Sequence, residues 1–523
     1  MKKWRLRLCA LIAAAGLTAG LSGCGKPVQE GKVDAGTSAG VLFSKPTELD
    51  VTICSHVSWP YNENWKMWQY LKEATGAQLN IQAVPSSDIA TKLPLLMASP
   101  DTVPDLLHLF SKQQYEPYAE SGAFLSLDER AEQMPNYTAF IDGLSPAERE
   151  DLLNQRRSGD GRIYSAPSYG TQTVNSMRVW LYRRDIFEKH GLPVPETYEE
   201  LYTVCKTLKE LYPESYPLCF REGIRKLITI GPSWQNDFTP EGYFDFQTKQ
   251  WRYGAQEPVM KEMVEYFVKL ANDGLTPPDM TTMETKSWEE LMSTDRGFIT
   301  VDYAVRIDFF NLAARQENPE YTLAIMAPPK ADSLGGTPKL EKNNLDFSGY
   351  LVCNTGDQKR MDASLRLVDW MYSAPAVELL SWGKENETYR VEDGRRTFIL
   401  KEGEQASNAY GVGTYGLYQV IDEEAYEATY TEENVAACRQ ALTYLEENAN
   451  PVKWLTYPED EADQVTQLYV EINAYLVEQL SLFLLRQQPM SEWDVFQKGL
   501  KEIGVDKLLD HYRSAYERAM EKA

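Results

Sequence analysis

The chain has 523 residues, 77 of them Asp or Glu and 53 Lys or Arg, giving a formal charge of −24 with 43 % apolar residues and 11 % aromatics. This length favours two domains over one, and 12 Trp with 31 Tyr are too many for a disordered acidic polymer. The negative balance excludes a duplex-DNA or anionic-membrane surface, which needs a basic field, and seven cysteines without CxxC or paired spacing exclude a disulfide framework or zinc site.

Met1 to Leu8 is a basic n-region carrying Lys2, Lys3, Arg5 and Arg7, and Cys9 to Leu21 is an apolar stretch too short to span a bilayer as a mature helix. Residues 1–23 therefore read as a signal peptide. The run Leu21-Ser22-Gly23-Cys24 resembles a bacterial lipobox, in which the cysteine is acylated before cleavage. The expectation is an exported chain anchored by lipid on Cys24, with a mature charge of −28 once the four basic residues are removed. Residues 24–48 are small, polar and rich in Gly and Pro, and read as a tether.

A globular pattern follows. Val51–Cys54 is strand-like, a polar and aromatic loop from His56 to Asn62 comes next, and Trp65, Trp68 and Leu71 recur at helical spacing before a Gly76 stop. Leu79, Ile81 and Ala83 alternate as a second strand. Ile89, Leu93, Leu96 and Met97 mark a helix interrupted by Pro94, and Leu106–Phe110 is a third strand. Repeated strand and helix alternation argues a parallel α/β sheet.

The pattern restarts after Asp160–Tyr169 with a strand at Met177–Tyr182. Thr197 and Glu200 form a capping-box signal, and Leu201, Val204, Cys205, Leu208 and Leu211 mark one apolar helix face, which places Cys205 in a core. A helix around Met260–Ala271, strands at Phe298–Val301, Tyr321–Met326 and Tyr350–Cys353, and two helical stripes, Val465–Leu476 and Trp493–Ile503, complete the chain. No internal repeat is visible.

Much chemistry is missing. The four histidines, His56, His108, His190 and His511, are mutually out of helical reach, and there is no HExxH or GxxxxGK[ST]. One GxGxxG match at Gly411–Gly416 follows no strand, and a GxSxG match at Gly36–Gly40 lies in the tether, so neither carries its usual chemistry. A glycoside hydrolase needs only two facing carboxylates, which sequence spacing cannot test. The strand and helix units do not recur eight times at even spacing as a barrel hydrolase requires.

Six blocks in order resemble the extracellular solute-binding proteins of bacterial ABC importers, in particular the long carbohydrate-binding lipoproteins related to maltose-binding protein. They are Lys92–Asp105, Tyr118–Asp128, Asp160–Pro167, Trp180–Leu201, Trp382–Gly394 and Ser491–Gly504, and the likeness covers about Glu48 to Tyr516. Pro100 stands where the family has Gly, and Glu385-Asn386 where it has a Glu-Gly pair.

The resemblance implies an α/β, type II periplasmic-binding-protein fold: two α/β lobes around a cleft, crossing hinge strands and a helical C-terminal region. Lobe 1 is expected to span 49–166 plus about 346–400, and lobe 2 167–345 plus about 401–523. It further implies capture of an oligosaccharide without catalysis, delivery to ABC permease and ATPase subunits, a monomer, and no cofactor or required metal. A surface glycoside-active enzyme and a ligand sensor for a membrane kinase are the alternatives.

Sugars present apolar faces and hydroxyl rims, so a site needs aromatic platforms and fixed polar groups. Loops at strand ends offer Trp59, Tyr61, His108, Tyr169, Trp234 with Gln235 and Asn236, Asp302, Tyr303 and Arg306, and Trp382 with Glu385. Trp65 and Trp68, at helical spacing, read as core, and His108 in its apolar run also admits a core reading.

Overall fold

Leu49, Val51 and Ile53 alternate along the first strand with Thr52 and Cys54, and both sets are buried, in two separate hydrophobic clusters. A strand apolar on both faces belongs inside a sheet covered on both sides. The computed structural model describes residues 41–56, 60–99, 102–170, 178–335, 337–342, 349–401, 404–414 and 416–522. The expected signal peptide, the part of the expected 24–48 tether up to Gly40, Cys24 and Trp59 lie outside the described residues, whereas residues 41–48 belong to the fold and not to a tether, with Phe43 buried and β1 starting at Thr47.

The strands in chain order are β1 (Thr47–Ser55), β2 (Ala77–Pro85), β3 (Leu106–Leu109), β4 (Ser165–Pro167), β5 (Arg178–Arg183) and β6 (Tyr243–Asp245). They continue as β7 (Gln250–Arg252), β8 (Ile299–Tyr303), β9 (Leu323–Met326), β10 (Gly349–Val352), β11 (Tyr389–Glu392) and β12 (Arg395–Phe398). From Val41 on the chain forms one compact unit. Its larger sheet has the order β2-β1-β3-β10-β4.

In that sheet β1 pairs in parallel with β2 and β3, with Val51 opposite Leu106, while β10 runs antiparallel between β3 and β4. Tyr350 lies opposite His108 on one side and Ala166 on the other. Gly349 is required here, because a Cβ at this position would run into the Ala166 carbonyl. The helix Lys66–Thr75 follows the loop after β1 and ends at Gly76, whose φ of 71° is the left-handed cap that a glycine adopts without strain. Trp65 and Trp68 are buried in the core, as their spacing predicts.

The smaller sheet has the order β8-β5-β9, with β5 antiparallel to both neighbours. A short extension adds Leu218 in parallel beside Ile299. The helix Tyr198–Leu211 carries the expected capping box: the Glu200 amide donates to Thr197 Oγ1 at 3.1 Å, and the Thr197 amide to Glu200 Oε2 at 3.3 Å. Cys205 is fully buried on its inner face.

The C-terminal helices Glu459–Leu484, Trp493–Ile503 and Val505–Lys522 pack on one another, and the first also packs on the helix Pro258–Asn272. The described chain is joined between its sheets by more than one connection. Where the chain leaves β4, the Tyr169 amide donates to the Gln419 carbonyl at 2.7 Å and the Ile421 amide to the Tyr169 carbonyl at 3.0 Å, so two segments run side by side in parallel. The fold is the two-lobed α/β periplasmic-binding-protein type with crossing hinge strands.

Candidate functional site

Arg178, the first residue of β5, lies directly opposite Tyr303, the last residue of β8. This is the end of the smaller sheet at which β5 begins and β8 finishes. The extension through Leu218 runs parallel to β8 and brings Arg221 and Glu222 to the same end. Glu222 holds a φ of 67°, an unfavourable setting for a side-chain-bearing residue, of the kind that gathers at functional sites.

Asp302 is the centre of this rim. Its carboxylate is fully buried and accepts from Arg221 Nε at 2.5 Å, Arg221 Nη2 at 2.9 Å and the Tyr303 amide at 2.8 Å. The Lys226 ammonium stands 3.7 Å away and Arg306 Nε 3.6 Å away. Burial pushes the Asp302 carboxyl up, but the Arg221 hydrogen bonds and the Lys226 charge outweigh it and hold it below its ordinary value. A carboxylate held ionised in this way is a poor proton donor.

Aromatic rings complete the rim. Arg178 lies 5.0 Å over the Tyr303 ring and its Nη2 donates to the Tyr303 hydroxyl at 3.2 Å. Arg221 and Arg306 lie 5.7 Å and 5.2 Å over the Trp288 ring, and the Trp288 indole donates to Thr300 Oγ1 at 3.0 Å. Arg306 also pairs with Glu289 at 2.8 Å. A hollow of about 570 Å³, open to solvent and lined by Glu222 and residues 282–286, adjoins this cluster.

In the larger sheet, the ends of β1 and β3 present His56 and Phe110, with ring centroids 6.2 Å apart. Tyr61 is half-buried beside them. Its amide donates to Ser55 Oγ at 2.9 Å, and its ring packs 5.9 Å from Trp68.

The structure thus brings Asp302, Tyr303 and Arg306 together and leaves Tyr61 apart from them, beside Ser55 and Trp68. Tyr169 sits at the crossing, with its hydroxyl 3.4 Å from Glu148 Oε1 and its ring against Phe140. Three expected contacts sit instead in cores. His108 has no exposed surface and packs edge-on to Tyr350 at 5.1 Å, where burial pushes its pKa down to about 3 and keeps the ring neutral.

Trp234 is buried in a stack on Tyr198 at 4.3 Å, and Trp382 is buried in a stack on Phe398 at 4.9 Å with its indole donating to Asp422 Oδ1. Gln235 is exposed and donates to the Gly335 carbonyl, Asn236 accepts from the Asp237 amide at 2.7 Å, and Glu385 is exposed beside the β11–β12 hairpin. None of these three joins the Asp302 cluster.

Sequence reading missed Arg178, Arg221, Glu222, Lys226 and Trp288. The available signal was the charged run Arg221-Glu222-Gly223-Ile224-Arg225-Lys226 directly after the apolar Leu218–Phe220. Among the described residues no group of three or more His, Cys, Asp or Glu is placed to hold a metal ion, and no helix is long and apolar enough to cross a membrane.

Two sheets joined by paired crossing segments make the two-lobed architecture shared with solved solute-binding proteins. The family model of the bacterial extracellular solute-binding proteins matches residues 63–378, and the chain belongs to that family. It is 22 % identical over 523 aligned residues to the fructooligosaccharide ABC transporter substrate-binding protein FusA of Streptococcus pneumoniae, covering 91 % of each chain. It is 23 % identical over 354 residues to the lipoprotein LipO of Bacillus subtilis, covering 63 % of this chain and 65 % of LipO. A solved extracellular solute-binding protein from Bifidobacterium longum subsp. infantis shares the fold, with a TM-score of 0.73 at 17 % identity over 92 % of this chain and 100 % of that one.

Proposed function

We propose that the protein captures an oligosaccharide between its lobes and delivers it to the permease of an ABC importer. The observation that carries this reading is the rim around Asp302: an aromatic ring, Tyr303, set among guanidinium and carboxylate groups at the sheet end where β5 begins and β8 finishes. Aromatic faces and fixed charged hydrogen-bonding groups are what sugar rings and hydroxyls require. The likeness along most of the chain to FusA, whose name describes a fructooligosaccharide-binding component of an ABC transporter, supports the same reading.

In this reading residues 49–166 with about 346–400 make one lobe and 167–345 with about 401–523 the other, and ligand contact with both shifts the protein from open to closed. The chain performs no covalent step, acts as a monomer, and is held at the outer face of the cell membrane by lipid on Cys24. Tyr61, Tyr303 and Arg306 are the contacts retained from the expected set, and Asp302, fully buried, serves by holding Arg221 in place.

Differential scanning fluorimetry against a panel of oligosaccharides, with analysis of each hit for breakdown, tests the proposal. A ligand that binds only the folded state raises the melting temperature. A shift with the sugar recovered intact supports capture for transport; cleavage of the sugar overturns it in favour of an enzyme.

A further inference from the structure

The rim around Asp302 is a single network of ion pairs. Arg178 pairs with Glu222, Arg221 with Glu222 and Asp302, Lys226 with both, and Arg306 with Asp302 and Glu289. Four cations thus face three carboxylates. A local positive surplus at one end of a sheet stands out in a chain whose formal charge is −24.

Two of these cations have donors left over. Lys226 has no exposed surface, and its ammonium lies 3.6 Å from Glu222 and 3.7 Å from Asp302, too far to hydrogen-bond either. Among the described residues its Nζ and Arg178 Nε are buried without a hydrogen-bond partner. Buried charged donors in that state are costly, and a protein retains them where something else completes them. Sugar hydroxyls could accept such bonds but would leave the surplus charge uncompensated, which matters most away from water.

Resting on the carbohydrate reading above, we propose that this rim selects a glycan bearing an anionic ring substituent, a carboxylate or a sulfate ester. Arg178, whose side chain is 24 % exposed, is the group that touches the anion, its planar fork matching either oxyanion. Lys226 and Arg221 lie beneath and act through their charge and by holding Asp302 and Glu222. The Tyr303 ring lies under Arg178, with Arg221 and Lys226 each 5.9 Å from its centroid, and gathers the three cations around one ring.

The test is isothermal titration with a panel of uronate trisaccharides, each paired with its carboxyl-reduced neutral counterpart of identical stereochemistry, and with sulfated trisaccharides as a separate arm. The expected result is an anionic probe that binds at least about tenfold tighter than its neutral partner, an advantage that shrinks with added salt. Arg178→Gln removes about tenfold of that preference, and Lys226→Met lowers the affinity for the anionic probe more than that for its neutral partner. The carboxylate and sulfate arms then say which oxyanion is read.

Neutral probes that bind as tightly as their charged partners, with Arg178→Gln silent, overturn the inference and leave the carbohydrate reading intact. No binding by any glycan, charged or neutral, overturns the carbohydrate reading and this inference with it. Loss of the unliganded melting transition in Lys226→Met marks a folding defect, and the partly exposed Arg178→Gln variant then decides.

Discussion

Arg221 holds the buried carboxylate of Asp302 in a two-pronged grip, with Nε 2.5 Å from Oδ2 and Nη2 2.9 Å from Oδ1. Breaking a buried pair by removing one partner strands the other charge. Asp302→Ala is therefore expected to cost about 3–5 kcal/mol in urea unfolding. The double variant Asp302→Leu with Arg221→Met should cost less than the two single changes added, because the pair is coupled. Additive losses would show that the grip contributes nothing of its own.

Tyr303 and Trp382 should part company in binding assays. Tyr303→Ala removes the ring beneath Arg178 and is expected to weaken oligosaccharide binding about tenfold, in line with the loss of an aromatic platform. Trp382→Phe loses the bond to Asp422 inside a buried stack, so it should lower the melting temperature and leave affinity unchanged. The reverse pattern would move the site to the β11–β12 side.

Stability should fall as the solution becomes more alkaline between about pH 5 and pH 8. Burial, with Glu341 nearby, pushes the Asp237 carboxyl up to about 6, and burial with Asp237 and Glu341 pushes Glu446 up to about 8. Both groups bind protons more tightly folded than unfolded. The stability they contribute is complete below the ordinary carboxylate range and is lost progressively as pH rises through their folded values. Glu446→Gln should flatten this slope and raise the melting temperature at pH 8. A wild-type profile that is flat across this window counts against the cluster.

Thr197→Ala removes the side chain that caps the helix Tyr198–Leu211 and should cost about 1 kcal/mol in chemical denaturation. Thr197→Ser, which keeps the acceptor oxygen, should recover most of it.

Local signals carried the reading of elements far, and they did so for identifiable reasons. The Thr197 and Glu200 pair lies three residues apart, and Gly76 follows its helix directly, so both ends were legible from neighbours in the chain. The insertion of β10 between β3 and β4 was not, because it joins residues near 350 to residues near 108 and 166. The candidate site suffered the same way. Asp302, Tyr303 and Arg306 were found because they lie at or just past the end of a strand, but Arg178 reaches them only through pairing with β8, and Arg221 and Lys226 only because Leu218 is laid beside Ile299. Trp382 looked available for a ligand because Phe398 and Asp422, which enclose it, come later in the chain.

The pairing of Tyr169 with Gln419 and Ile421 has a mechanical meaning. Two strips of backbone laid parallel and tied at both faces of one residue resist twisting against each other far more than either strip alone. Bending across the pair stays easy, because it leaves the two short bonds intact. If the lobes close on a ligand as proposed, a joint of this kind confines the swing to one axis, so that the same residues of each lobe meet at every closure.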